Sequence, residues 1–274
     1  MKKHQTSFER FEYKFWMPGA LADEALRFSA PYLRCDDWAP GGQRNTSLYL
    51  DSPRLTFADL HRQGAPDRSK LRVRAYGNPP VGPAFVEIKR KVKQVTLKQR
   101  AAIPIEHVEA LVRDGVMPKV QSAEEQRTLE GFLYLMLVHQ ARPTVLVTCR
   151  REAYASVNPD EGVRLTVDRD VWYQPAPGPH LRGDPRRWVP LCGQRGYQSG
   201  SFALIELKFR AVAPWWTTQL AQALQLVPTA FSKYITAIDA LEQGDGDADL
   251  FDARAQHGPL LSMPVDGGSY GGGR

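Results

Sequence analysis

The sequence predicts an α+β domain built on a closed antiparallel eight-stranded β-tunnel, with helices packed on its outside. Three observations lead there. About eight segments alternate apolar and polar residues with a period of two, as strands do. Six others carry apolar residues at helical spacing. In five of the strands the polar positions are charged, and mostly cationic, rather than mixed.

Taken in order, the chain opens with a strand over Phe8–Trp16 and a helix over Ala20–Leu33. A strand over Asn45–Leu50 and a helix over Arg54–Gln63 follow. Three strands come next, Lys70–Tyr76, Ala84–Val92 and Thr96–Ile103. Helical spacing then covers Ile105–Asp114 and Ala123–Gln140, where EEQRTLEGFLYLMLVHQ has one apolar face. Strands over Thr144–Ala155 and Gly162–Val171 precede QPAPGPHLRGDPRRW, a long loop dense in proline and glycine. A last strand over Ser201–Phe209 leads to helices over Trp215–Leu226 and Ser232–Glu242. From Gln243 the sequence turns acidic and then glycine-rich, so the expected division is a folded domain over 1–242 and a disordered tail over 243–274.

Composition narrows the function classes. The 274 residues are 42% hydrophobic and 24% charged, an ordinary balance for a soluble domain. No run approaches the roughly 18–20 apolar residues of a membrane helix. MKKHQTSFERFEYKF has no apolar stretch behind its lysines, so no secretory signal is read there and a cytoplasmic protein is expected. The net charge of +6 favours anionic partners. Cys35, Cys149 and Cys192 form no C-x-x-C pair and read as reduced thiols. His4, His61, His107, His139, His180 and His257 lie outside the charged strands and read as surface or helix residues.

Residues two apart in a strand share a face. RFEYKFW therefore sets Arg10, Glu12 and Lys14 against Phe11, Tyr13 and Phe15. KLRVRAY sets Arg72 and Arg74 against Leu71, Val73 and Ala75, with Lys70 placed beside the latter three and left outside the ladder. VEIKRKV groups Glu87, Lys89 and Lys91; VRLTVDRDV groups Arg164, Thr166 and Asp168; ALIELKF groups Glu206 and Lys208. One reading is a half-exposed sheet with a solvated outer face. The pattern across five strands favours a wet, cationic lumen that grips a triphosphate or polyphosphate, since like charges this close repel without an anion between them. The few acids then suit a divalent cation shared with phosphate oxygens. Glu206 is the first candidate, with Glu87, Glu12 and Asp168 behind it. For Glu87 and Asp168, simple salt bridges to Lys89 and Arg164 serve equally well. A nucleic-acid binder fits less well, because the basic strands lack the aromatic interleaving of single-strand binders.

The ordered run EYKFW, KLRVRAYG, FVEIKRKV, LKQR, CRREAY, VRLTVDRDV, ALIELKF and FSKYITAI resembles the VTC domain. That is the polyphosphate-polymerase branch of the triphosphate tunnel metalloenzymes, the wider group that includes CYTH domains. The resemblance spans Arg10 to Ile238 and implies metal-assisted transfer of phosphoryl groups from ATP to a growing polyphosphate chain. It implies that Arg72, Arg74, Lys89 and Arg164 hold the reacting triphosphate. Further phosphate contacts fall to Lys14, Lys98, Arg100, Arg151, Lys208 and Lys233, the last at a helix start. It implies Mg²⁺ or Mn²⁺ on Glu206, and ATP, triphosphate or polyphosphate as partners, with no specific nucleic acid. Glu12 departs toward the glutamate-rich first strand of CYTH-type triphosphatases, so hydrolysis stays open, as does a non-catalytic binding module. The chain lacks the regulatory domain and membrane helices of eukaryotic relatives, so any membrane coupling would need a separate protein.

Overall fold

The computed structural model describes residues 10–36, 41–93, 95–191, 202–210 and 212–244, with Arg10 through its backbone only. The acidic tail from Asp245 and Cys192 fall outside them. The chain runs β1 (Arg10–Pro18), α1 (Gly19–Ser29), β2 (Leu33–Cys35), β3 (Gln43–Asp51), α2 (Thr56–Arg62), β4 (Asp67–Tyr76), β5 (Val81–Val92), β6 (Val95–Pro104). It continues α3 (Val108–Asp114), α4 (Ala123–His139), β7 (Arg142–Ser156), β8 (Arg164–Pro175), β9 (Val189–Pro190), β10 (Phe202–Arg210), α5 (Trp215–Ala223) and α6 (Lys233–Glu242). Each of the six expected helices and eight expected strands has its counterpart.

Two expectations fail. The sheet has ten strands, because short β2 pairs with β7 and β9 with β8. It is also not closed: the main path runs β1-β10-β8-β7-β3-β4-β5-β6, leaving β1 and β6 as edges. Both edges turn to other partners instead. The Lys14 carbonyl of β1 accepts from the Thr229 N–H at 2.7 Å, and Trp16 stacks on Phe231 at 4.5 Å, so the α5–α6 connection covers that edge. On β6 the Ala102 N–H donates to Glu125 Oε1 at 3.2 Å. Glu125 is itself fixed by the capping box Ser122–Glu125 that starts α4. An edge that is capped in this way is protected without a further strand.

The sheet nevertheless curls strongly. Glu12 on β1 and Lys89 on β5 influence each other electrostatically. They lie six strands apart along the path, which a flat sheet would translate into roughly 29 Å at its usual strand spacing. Curling brings their faces together into a trough. Outside the trough, Leu71, Val73, Val86 and Ile103 pack under α3 and α4, while Phe15, Val167, Ile205 and Leu207 pack under α1 and α5. Inside it, α6 lies against Tyr49, Val145, Val147 and Tyr173 and fills one end with apolar side chains. β8 reaches that end with the right face only because Asp170, at φ 47°, inserts a bulge that reverses the parity after Asp168.

Asp51 ties α2 and α6 to the sheet. It is fully buried, and its carboxylate accepts from the N–H groups of Ser52, Phe57 and Ala58 at 2.7, 2.9 and 2.9 Å and from the Tyr234 hydroxyl. Asp51→Ala strands these donors in the interior, which costs about 3 kcal/mol or more. Tyr234→Phe removes one of the four bonds and costs less. Urea unfolding checks both, and an Asp51→Ala protein as stable as its parent would show that α6 is held by apolar contacts alone.

Candidate functional site

The trough owes its charge to strand parity. Cross-strand partners place Tyr49, Arg72, Glu87 and Arg100 in one row over β3, β4, β5 and β6. The next row is Lys70, Lys89 and Lys98, with no acid in it. On the facing side, Lys14 lies opposite Glu206, Glu12 opposite Lys208, and Arg151 opposite Asp168. Of the ten cations predicted from sequence, seven thus come from β1, β4, β6, β7 and β10, and Lys89, Arg164 and Lys233 come from β5, β8 and α6.

Two acid-centred clusters result. In the first, Glu87 is buried and receives Arg72 (Nε 2.6 Å), Lys98 (2.8 Å) and Arg100 (3.3 Å). Arg72 also donates to the Tyr49 hydroxyl at 3.2 Å, and Arg100 lies 3.6 Å over the Phe85 ring. Burial pushes the Glu87 carboxyl up, but Arg72, Arg74 and Lys98 overcome it and hold Glu87 well below the usual carboxylate range. In the second, Asp168 accepts a bidentate pair from Arg151 at 2.5 and 2.6 Å and an ion pair from Lys233. Glu206 beside it is bonded by Lys208 at 3.1 Å and faced more loosely by Arg151 (3.7 Å), Lys14 (3.9 Å) and Lys233 (3.9 Å). Burial again opposes ionisation, and Lys233, Arg151, Lys208 and Lys14 reverse it, so Glu206 is a firmly ionised carboxylate.

The salt bridges anticipated from sequence are therefore different ones. Glu87 pairs across strands with Arg72, Lys98 and Arg100 rather than along its own strand with Lys89. Asp168 pairs with Arg151 and Lys233 rather than Arg164, which stands half-exposed at the rim and pairs with Asp36 at 2.9 Å. Direct cross-strand neighbours lie closer than residues two apart on one strand.

On the concave face of β4 and β5, Lys70, Arg74 and Lys89 have no carboxylate within ion-pair distance among the described residues. Arg74 bonds only Ser47 Oγ (3.0 Å), Lys70 only Ser232 Oγ (2.9 Å), and Lys89 no group at all. Lys89 remains open to solvent, while Arg74 and Lys70 are half-buried. Desolvation, then the Lys89, Lys14, Arg72 and Arg68 charges, push the Lys70 ammonium down to about 7. Desolvation and Arg72 also push Arg74 down. Next to Glu206, the Thr166 hydroxyl is buried without a partner among the described residues, as is the amide of Asn45. Cations without acidic partners and polar atoms without hydrogen bonds thus share one concave face.

Lys70 lies on the face of Arg72 and not on that of Leu71, Val73 and Ala75 as expected, because residues two apart on a strand share a side. Tyr49, Ser47 and Ser232 were missed because no charge marks them. Glu12 and Glu206 share one cluster, but Glu87 belongs to the other. Among the described residues no group of three or more His, Cys, Asp or Glu is arranged to hold a metal. The residues fit a metal shared with phosphate and not an all-protein cage: Glu206 keeps only one close bond, and partly exposed Glu12 stands beside it.

The VTC domain family model matches residues 9–242. The chain belongs to the VTC domain family. No curated protein sequence matches it. A "putative adenylate cyclase" from Bacillus halodurans is similar in structure at a TM-score of 0.46 and 9% identity, over 81% of this chain and 92% of that one. The VTC match covers both clusters of the trough and the unpaired cations between them.

The depressed Lys70 ammonium gives a pH prediction. Without ligand, the unfolded state binds the Lys70 proton more tightly, so this residue makes stability rise with pH from about 7 toward the ordinary lysine range near 10. An inorganic triphosphate in the trough restores the charge, so binding at pH 8 takes up about one proton and weakens as pH rises. Calorimetry in two buffers of different ionisation heat measures the uptake, and Lys70→Met should abolish it. Binding without uptake would place Lys70 outside the anion site.

Proposed function

We propose that this VTC domain is a nucleotide-dependent polyphosphate polymerase that transfers the γ-phosphate of ATP to a growing polyphosphate chain on the basic face of the trough. The observation that carries the reading is the set of unpaired cations Lys70, Arg74 and Lys89 lying between two acid-centred clusters. A compact polyanion relieves their repulsion, and bidentate guanidinium groups suit phosphate oxygens.

Phosphoryl transfer asks the protein mainly for positioning and charge stabilisation. Arg72 and Arg74, fixed by Glu87, Tyr49 and Ser47, would hold the triphosphate, with Lys89 free to follow charge onto the leaving diphosphate. Lys14, Arg151, Lys208 and Lys233 would bind phosphates on the facing side, with Lys98 and Arg100 at the β6 edge and Arg164 at the rim. The acceptor is a terminal phosphate oxygen, already anionic, so no general base is needed. Mg²⁺ or Mn²⁺ would be held by Glu206 with Glu12 and would supply neutralisation of phosphate charge there.

Glu12 favours one second reading. It is partly exposed in the trough and bonded by Lys14 at 3.2 Å, a placement from which a carboxylate can orient water for triphosphate hydrolysis. No helix among the described residues is long and apolar enough to cross a membrane.

Incubation with ATP and Mn²⁺, resolved by ³¹P NMR, tests the activity. Mid-chain phosphate signals are expected; orthophosphate alone would establish the hydrolase, and unchanged ATP would contradict both enzymes. Glu206→Gln should lower turnover about 10²–10³-fold, with metal-free ATP affinity equal or tighter because a carboxylate facing phosphate is lost. Retained turnover with lost binding would make Glu206 only a partner of Lys208.

A further inference from the structure

The register of β4 with β5 continues the cationic face beyond the residues assigned above. One row out from Lys70, Lys89 and Lys98, Arg68 lies directly opposite Lys91. That row stands roughly 7 Å further along the strands, two residues on. Arg68 donates only to the Ala65 carbonyl, at 2.6 Å, and Lys91 has no partner among the described residues. Two consecutive cross-strand rows therefore juxtapose like charges with no acid between them, an arrangement that destabilises a sheet. The row of Arg72, Glu87 and Arg100 is different, since Glu87 neutralises it internally. Beyond Arg68 and Lys91 the strands end at the β5–β6 turn, where the Lys93 N–H bonds the Pro66 carbonyl, so the rows lead from the trough to the rim of the sheet.

We infer that the rows Lys70–Lys89–Lys98 and Arg68–Lys91 form an outer anion subsite, continuous with the triphosphate site, that takes the distal phosphates of a longer chain. The inference rests on the polyphosphate reading above and adds a specificity to it: the site prefers long-chain polyphosphate to triphosphate. The inner row belongs to both subsites, while Arg68 and Lys91 serve only the outer one. Ser232, which caps the N-terminus of α6, accepts from the Lys70 side chain at 2.9 Å and so fixes it at the boundary between the two. Arg68 also acts electrostatically on Lys70, which places the outer row within reach of the inner one.

The test compares affinity for inorganic triphosphate with affinity for polyphosphate of about 60 units, per chain end, at fixed ionic strength. The parent protein should bind the long chain at least tenfold more tightly. In Arg68→Ala/Lys91→Ala the triphosphate affinity should stay within about twofold while most of that advantage disappears. Lys91→Gln alone, at a partly exposed position, should lose part of it and guards against misfolding of the double variant. A length advantage that survives in the variants would overturn the outer subsite, as would a parent protein that binds triphosphate with no length advantage. A parent protein that binds neither anion would instead overturn the polyphosphate reading itself.

Discussion

Repulsion between cations placed directly across antiparallel strands is the constraint on which the trough depends. Lys70 faces Lys89, which faces Lys98, and no carboxylate intervenes. Water screens such charges on an open surface, but here α6 and the curled sheet crowd them, as the depressed Lys70 ammonium records. A fold that concentrates like charge on its concave side gives up stability when empty and recovers it when a matching anion binds. That exchange converts structure into affinity.

The acids decide where the exchange happens. Glu87 and Asp168 are each saturated by guanidinium and ammonium groups, so they orient cations rather than repel phosphate. Glu206 is held less tightly, with one bond at 3.1 Å and three cations at 3.7–3.9 Å. In the proposed reading it is the carboxylate that would exchange a lysine for a divalent cation. The apolar outer shell and the α6 plug keep these geometries fixed. Asp51 anchors the plug through Tyr234, and with it the neighbouring Lys233, which reaches Asp168.

Much of this was legible in the sequence, because strand parity is a strict rule. The alternation in RFEYKFW, VEIKRKV and ALIELKF assigned Lys14, Lys89 and Glu206 to one face before any contact was known. Parity along a strand says nothing about which strands are neighbours, however. The partners of Glu87 and Asp168 were accordingly sought on their own strands and found across the sheet. Closure was over-read for the same reason: eight amphipathic strands are compatible with a barrel, but the contacts of Thr229 with Lys14 and Glu125 with Ala102 lie between elements distant in sequence. Tyr49 and Ser47 sit in NTSLYL, a stretch without charge, and only their neighbours give them a role.

Thermal unfolding in the presence of inorganic triphosphate tests the uncompensated charge most directly. At a hundredfold excess over its dissociation constant, a ligand of the native state adds about 2.7 kcal/mol of stability. The midpoint should therefore rise by several degrees with triphosphate, while sodium chloride at the same ionic strength raises it little. Equal shifts from the two salts would mean that the cations of the trough are simply solvated, and that no anion site exists there.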